Sequence, residues 1–193
     1  MVRFAFLFLI LLGGSCQSDP EETTLANVLP VIDSVTSLSL QALPLFEEEA
    51  GHFSIYFPSP PQRSTHTSEV DIGPLKMTQW VAKDASGQFY VVSYADYPAA
   101  VLRLGSEKQL LKGVEERLLS ALHAKRTSRH PLLLDSLHQG IAFQAEAKRR
   151  HWHLNYQLYL RDKRLYQLGI HSAIGPIHPQ DSADFFGSFV VLE

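Results

Sequence analysis

The sequence predicts an α+β domain: a mostly antiparallel sheet of about six to eight strands, flanked by one long helix and one or two short ones. Three observations lead there. Runs of strand-like alternation stand both before and after a single long amphipathic stretch. Their connections are too short for the crossovers that parallel strands require. Hydrophobic residues make up 45% of the 193, enough apolar surface for one core.

The folded unit is expected to start at Gly51. In His52-Phe-Ser-Ile-Tyr-Phe57, Phe53, Ile55 and Phe57 fall on one face, and Pro58, Pro60 and Pro61 end the strand. Residues 62–70 read as a polar strand and 71–74 as a turn. Residues 75–82 read as a strand with Leu75, Met77 and Gln79 facing away from Lys76, Thr78 and Trp80. After a turn at 84–87, residues 88–94 are the most β-favouring stretch of the chain, and these last three strands are expected to form a meander.

Ser106 then stands three residues before Gln109, the capping-box spacing. Leu110, Val114, Leu118, Ala121 and Leu122 make one apolar stripe, with Glu107, Lys112, Glu115 and Arg117 mostly off it. Residues 126–129 break that pattern. Residues 132–137 read as a strand, His138-Gln-Gly140 as a turn, and 141–147 and 152–159 as alternating strands. In the latter, Trp152, Leu154, Tyr156 and Leu158 share a face opposite His151, His153, Asn155, Gln157 and Tyr159. A hairpin loop at 161–163 leads to a return strand at 165–170. A short helix at 181–189 is expected to turn Phe185, Phe186 and Phe189 inward, although Gly187 weakens it.

The N-terminus carries an address. Arg3 precedes an apolar run from Phe4 to Leu12, then Gly13, Gly14, Ser15 and Cys16. A basic residue, a short apolar region and a small-residue site make a secretory signal peptide over residues 1–15; a bilayer span needs about 20 apolar residues. Cys16 is the only cysteine, so no disulfide framework accounts for it. Its placement resembles a bacterial lipobox, with Gly13 where leucine usually stands and Leu12 one step further back. That resemblance implies lipidation at Cys16 and attachment to membrane lipid, since each buried methylene of an acyl chain contributes about 0.8 kcal/mol. Residues 16–50 then read as a tether. Its part from Leu25 to Phe46 is either a short helix lying on the domain or a segment that docks on a partner, with Pro30 and Pro44 limiting any helix, and Glu47–Glu49 a solvated loop.

Several segments resemble a group of exported bacterial proteins: Phe53-Ser-Ile-Tyr-Phe-Pro58, Tyr90-Val-Val-Ser-Tyr-Ala-Asp-Tyr-Pro98, Arg164-Leu-Tyr-Gln-Leu168 and Phe185-Phe-Gly-Ser-Phe189. The domain at 51–193 is similar to PsbP and DcrB domains, the likeness covering about residues 51–190. It implies an antiparallel sheet flanked by helices and a role in binding or assembly. These motifs are core and turn residues, nearly silent on chemistry.

Chemistry-bearing constellations are sparse. A formal charge of −3 argues against nucleic acid. His151 and His153 flank Trp152 and, as i and i+2 on a strand, are the weak candidates for a metal site or a metal-assisted hydrolase. Glu146, His171 and His178 are the residues available to complete it; the simpler reading puts both histidines on the solvent face. No nucleophile elbow or phosphate-binding glycine loop occurs. Asp96 reads as a turn aspartate bonding nearby backbone amides. The basic residues 148–150 and 161–164 are expected at opposite ends of the hairpin, each a solvated loop. The expectation is therefore a non-enzymatic, exported, lipid-anchored envelope protein with no cofactor. It would bind an envelope protein partner or small ligand through the sheet face or the aromatic edge, with Tyr94, Asp96, Tyr97 and Trp152 as candidate contacts. A purely structural role in the envelope is the remaining possibility.

Overall fold

The computed structural model describes residues 45–70, 73–134, 138–148 and 151–193. The expected leader, Cys16 and the expected tether through residue 44 lie outside the described residues. So do 135–137 of an expected strand and Arg149 and Arg150 of the basic run.

Strand β1 (Phe46–Glu48) pairs antiparallel with β2 (Phe53–Ile55), Phe46 opposite Ile55. Pairing thus begins ahead of Gly51, and Glu47 and Glu48 lie in a strand instead of a solvated loop. Phe46 explains the difference: its ring stands 5.5 Å from that of Phe57 and 6.0 Å from that of Trp80, so the segment is held by aromatic packing that its acidic neighbours hide. Next come β3 (Gln62–Val70), β4 (Gly73–Lys83) and β5 (Phe89–Asp96), the expected meander.

Two helices follow, α1 (Ala99–Leu104) and α2 (Glu107–Ala121). The first was not legible: six residues between Pro98 and Gly105 are too few to show a period. The second has the expected capping box, Ser106 and Gln109 bonding reciprocally. A second meander, β6 (Lys125–Leu133), β7 (Gln139–Ala147), β8 (Trp152–Arg161) and β9 (Arg164–Ser172), returns to the first by pairing β9 with β5. The result is one seven-stranded antiparallel sheet in the order β3-β4-β5-β9-β8-β7-β6. Helix α3 (Pro179–Gly187) leads into β10 (Val190–Val191), which joins β2 and completes a three-stranded sheet.

Alternation gives the large sheet two covered faces. On one, Trp80, Tyr90, Val92, Leu168 and Ile170 pack against Phe53, Ile55 and Phe57 of the small sheet region and against Phe185 and Phe189. On the other, Phe143, Leu154, Tyr156 and Leu158 lie beneath α2, which contributes Leu111 and Val114. The face expected to be solvent-exposed along β8 is therefore partly sheltered by α3, and Tyr159 is buried there.

Three further corrections have local causes. Arg126 to Arg129 lie beyond the helical pattern as expected, but in β6, which starts at Lys125 rather than at residue 132, and an irregularity between Arg126 and Ser128 inserts one extra residue. Residues three apart normally point to opposite faces, but this bulge puts Arg126 opposite Ala145 and Arg129 opposite Phe143, both over α2. Glu115, expected off the apolar stripe, is instead 0% exposed and accepts from Arg126 Nη1 at 2.7 Å and Arg129 Nε at 2.8 Å. Gly140 is a strand residue, not a turn: a Cβ there would lie 2.5 Å from the Tyr159 ring carbon that crosses it.

Candidate functional site

The aromatic edge at Tyr94–Pro98 is a clasp. Arg164, at the start of β9, aims its guanidinium along the end of β5 because Asp96 and Arg164 are direct cross-strand partners. Its Nε and Nη2 donate to the two carboxylate oxygens of Asp96 at 2.7 and 2.8 Å, and its Nη1 donates to the Ala50 carbonyl at 2.9 Å. The same guanidinium lies 4.5 Å over the Tyr94 ring, which stacks on Trp80. The Tyr166 hydroxyl donates to the Gly51 carbonyl at 2.9 Å. The hydrogen bonds from Arg164 hold the Asp96 carboxyl below the usual carboxylate range, and those to Asp96 hold the guanidinium up. Asp96 thus bonds a side chain rather than backbone amides. Tyr97 is 5% exposed, its backbone N–H donating to the Lys163 carbonyl. Both β-rich motifs that stood out in the sequence meet here and join the large sheet to the β1–β2 connection.

Trp152 lies at the opposite end of β8, half-buried, stacked on Phe89 at 6.2 Å and tilted against His171 at 5.4 Å. It is not part of one patch with Tyr94, Asp96 and Tyr97. His151 precedes β8 with a left-handed backbone (φ 54°), so it is not strand alternation that brings it near His153; the two line one pocket with Glu146 and Trp152. His153 stands 3.9 Å from Glu146 across the pair. His171 points to the opposite face, since it is the partner of Leu154 while His153 is that of Ser172. Buried against Tyr156, whose hydroxyl lies 2.6 Å from its Nε2, it is held down to about 4 by burial. His178 caps α3, its Nδ1 accepting from the Gln180 N–H. Among the described residues, no three His, Cys, Asp or Glu side chains gather closely enough to hold a metal ion.

A second place with room for a ligand, besides the pocket of about 300 Å³ at Glu146, His151, Trp152 and His153, lies where the sequence pointed to no site. Between α3 and β6–β8 runs an open groove of about 470 Å³, lined by His130, Gln144, Asn155, Gln157, Tyr159 and Phe186 among others. Strand alternation puts Gln144, Asn155 and Gln157 on one face, and α3 forms the wall. The amides are oriented. Tyr159 Oη donates to Gln157 Oε1 at 2.6 Å, Asn155 Nδ2 donates to Ser182 Oγ at 2.8 Å, and Ser128 Oγ donates to Gln144 Oε1 at 3.1 Å. These bonds leave the amide N–H groups of Gln144 and Gln157 and the carbonyl of Asn155 as the polar groups to meet a ligand. Burial pushes the Tyr159 phenol up to about 12, so it stays a donor. The lining carries no Asp, Glu, Lys or Arg. One signal was available: Asn155 and Gln157 are neutral amides on a strand face whose exposure alone would suit charged residues.

No family model matches the chain, and no curated protein matches it.

Proposed function

We propose that the chain is an exported, lipid-anchored, non-enzymatic envelope protein whose domain holds a neutral, hydrogen-bonding ligand, or such a segment of a partner, in the groove beneath α3. The lining carries the proposal. Oriented amides offering both donors and an acceptor, beside the Tyr159 and Phe186 rings and without formal charge, select an uncharged polar group that also has an apolar side. A volume of about 470 Å³ suits a small molecule or a few residues of chain. Apart from His130, the polar side chains of the lining are amides, a serine hydroxyl and a protonated phenol, which orient a ligand rather than exchange protons with it. The leader and the sole cysteine at position 16 support presentation from a membrane lipid, and the antiparallel sheet flanked by helices supports the likeness to PsbP and DcrB domains.

The test is affinity purification of the full chain from gently crosslinked membranes, beside Cys16→Ala and Asn155→Leu/Gln157→Leu chains. A stoichiometric companion lost in the groove variant is expected, with membrane retention lost in Cys16→Ala. A companion retained by the groove variant would refute the site, and a soluble wild type would refute the anchor.

A further inference from the structure

We infer that β3 is a self-pairing edge, through which two copies of this chain join their seven-stranded sheets about a two-fold axis at His66. The inference is independent of the groove, which lies at the other side of the sheet. An edge strand offers a row of unpaired backbone N–H and C=O groups, and folds block such rows with proline, bulges and charge. Edge β6 has all three: Pro131, the bulge after Arg126, and Lys125, Arg126 and Arg129. Edge β3 has neither proline nor bulge, and its charged residues, Arg63 and Glu69, flank an uncharged centre. Its pairing with β4 runs without a register shift from Gln62 to Val70, and Ser64-Thr-His-Thr67 bears no lysine, arginine, acid or proline.

Register points to a second copy as the occupant. Strand β3 has nine residues with His66 at the middle, so antiparallel pairing about His66 matches the whole strand to its copy, Gln62 with Val70 and Thr65 with Thr67. Thr–Thr pairs are among the favourable cross-strand contacts. Gln62, Thr65, His66 and Thr67 are exposed and free to be covered. The one cation near the centre, Arg63, is drawn inward over the Trp80 ring at 5.8 Å, and Thr65 Oγ1 lies 3.4 Å from Thr78 Oγ1. Both contacts lie on the β4 side of the strand, and among the described residues no strand pairs with its outer rim. A second copy satisfies this geometry because the symmetry that pairs two identical strands is the commonest in homo-oligomers.

Sedimentation of the full chain in detergent, all in a Cys16→Ser background, tests it, with His66→Cys oxidised in parallel. Expected are a dimer, a disulfide-linked dimer for His66→Cys, and loss of the dimer in Thr65→Lys/Thr67→Lys with an unchanged thermal midpoint. A wild-type monomer across the micromolar range overturns the inference. So does a dimer that survives the lysine pair without the His66→Cys crosslink, since that dimer uses another surface. If the lysine pair unfolds the chain, the crosslink decides.

Discussion

Edges β6 and β3 finish the same sheet, but they are held by different forces. Beneath β6, Glu115 reaches up from α2 and accepts from Arg126 and Arg129, a buried carboxylate answered by two guanidinium groups. Among the described residues only β4 pairs with β3, with a hydroxyl pair and one cation over a ring added to the backbone ladder. The strand with the more charged sequence is thus the one tied to the core, and the strand with the blander sequence is the one left open. Charge on an edge tells little about exposure until its partners are known. In β6 the bulge decides the matter, because without the extra residue Arg126 and Arg129 would point to opposite faces.

The largest expected effect breaks this contrast at its stronger side. Replacing Glu115 with alanine removes the acceptor of two arginines and leaves a gap under α2, for a loss of about 3–4 kcal/mol in urea unfolding. A loss below 1 kcal/mol would mean that β6 is held by packing alone. Acid probes the sheet's centre by comparison with its edges. The folded His171 titrates at about 4, below its ordinary 6.5, so its contribution is complete above pH 6.5 and is lost as pH falls toward 4. The loss should reach about 2–3 kcal/mol, and His171→Gln, which keeps a partner for the Tyr156 hydroxyl, should flatten the slope. An equally steep slope in that variant would assign the acid sensitivity elsewhere.

A smaller effect belongs to the clasp. Asp96→Asn removes the charge from a partly exposed fork and should cost about 1 kcal/mol, with faster hydrogen exchange in β1 and β2 than in β6. Because the Asp96 carboxyl is held below its ordinary value, the wild-type advantage should persist above about pH 4 and fade under it. The smallest change is Thr65→Ala on the open edge, about 0.5 kcal/mol in the same urea assay, several-fold less than the Glu115 substitution. A larger loss would show β3 to be fixed by more than its ladder.

How much of this was legible depended on whether a residue's partner was near in sequence. The α2 cap, the β3–β5 meander and the hairpin joining β8 to β9 are local, and their residues predict them. Strand β1 rests on Phe46 meeting Phe57 and Trp80, contacts that an acidic neighbourhood conceals. Glu115 looked like a solvated helix residue because both of its arginines lie beyond the helix, and the bulge that aligns them leaves no periodicity. The conspicuous Tyr94–Pro98 and Arg164–Leu168 segments meet in one junction, where their aromatic and charged groups bond to one another. The groove was missed because Asn155 and Gln157 alternate with buried residues exactly as a wet strand face would, and only the position of α3 turns that face into a wall.

The most direct test of the binding reading is photo-crosslinking in the living envelope, with benzoylphenylalanine placed at Gln157 in the groove or at Lys112 on the exposed side of α2. An adduct at Gln157 and none at Lys112 is the predicted result. Adducts at Lys112 alone, or at neither position, would contradict the groove as the site where this domain holds its ligand.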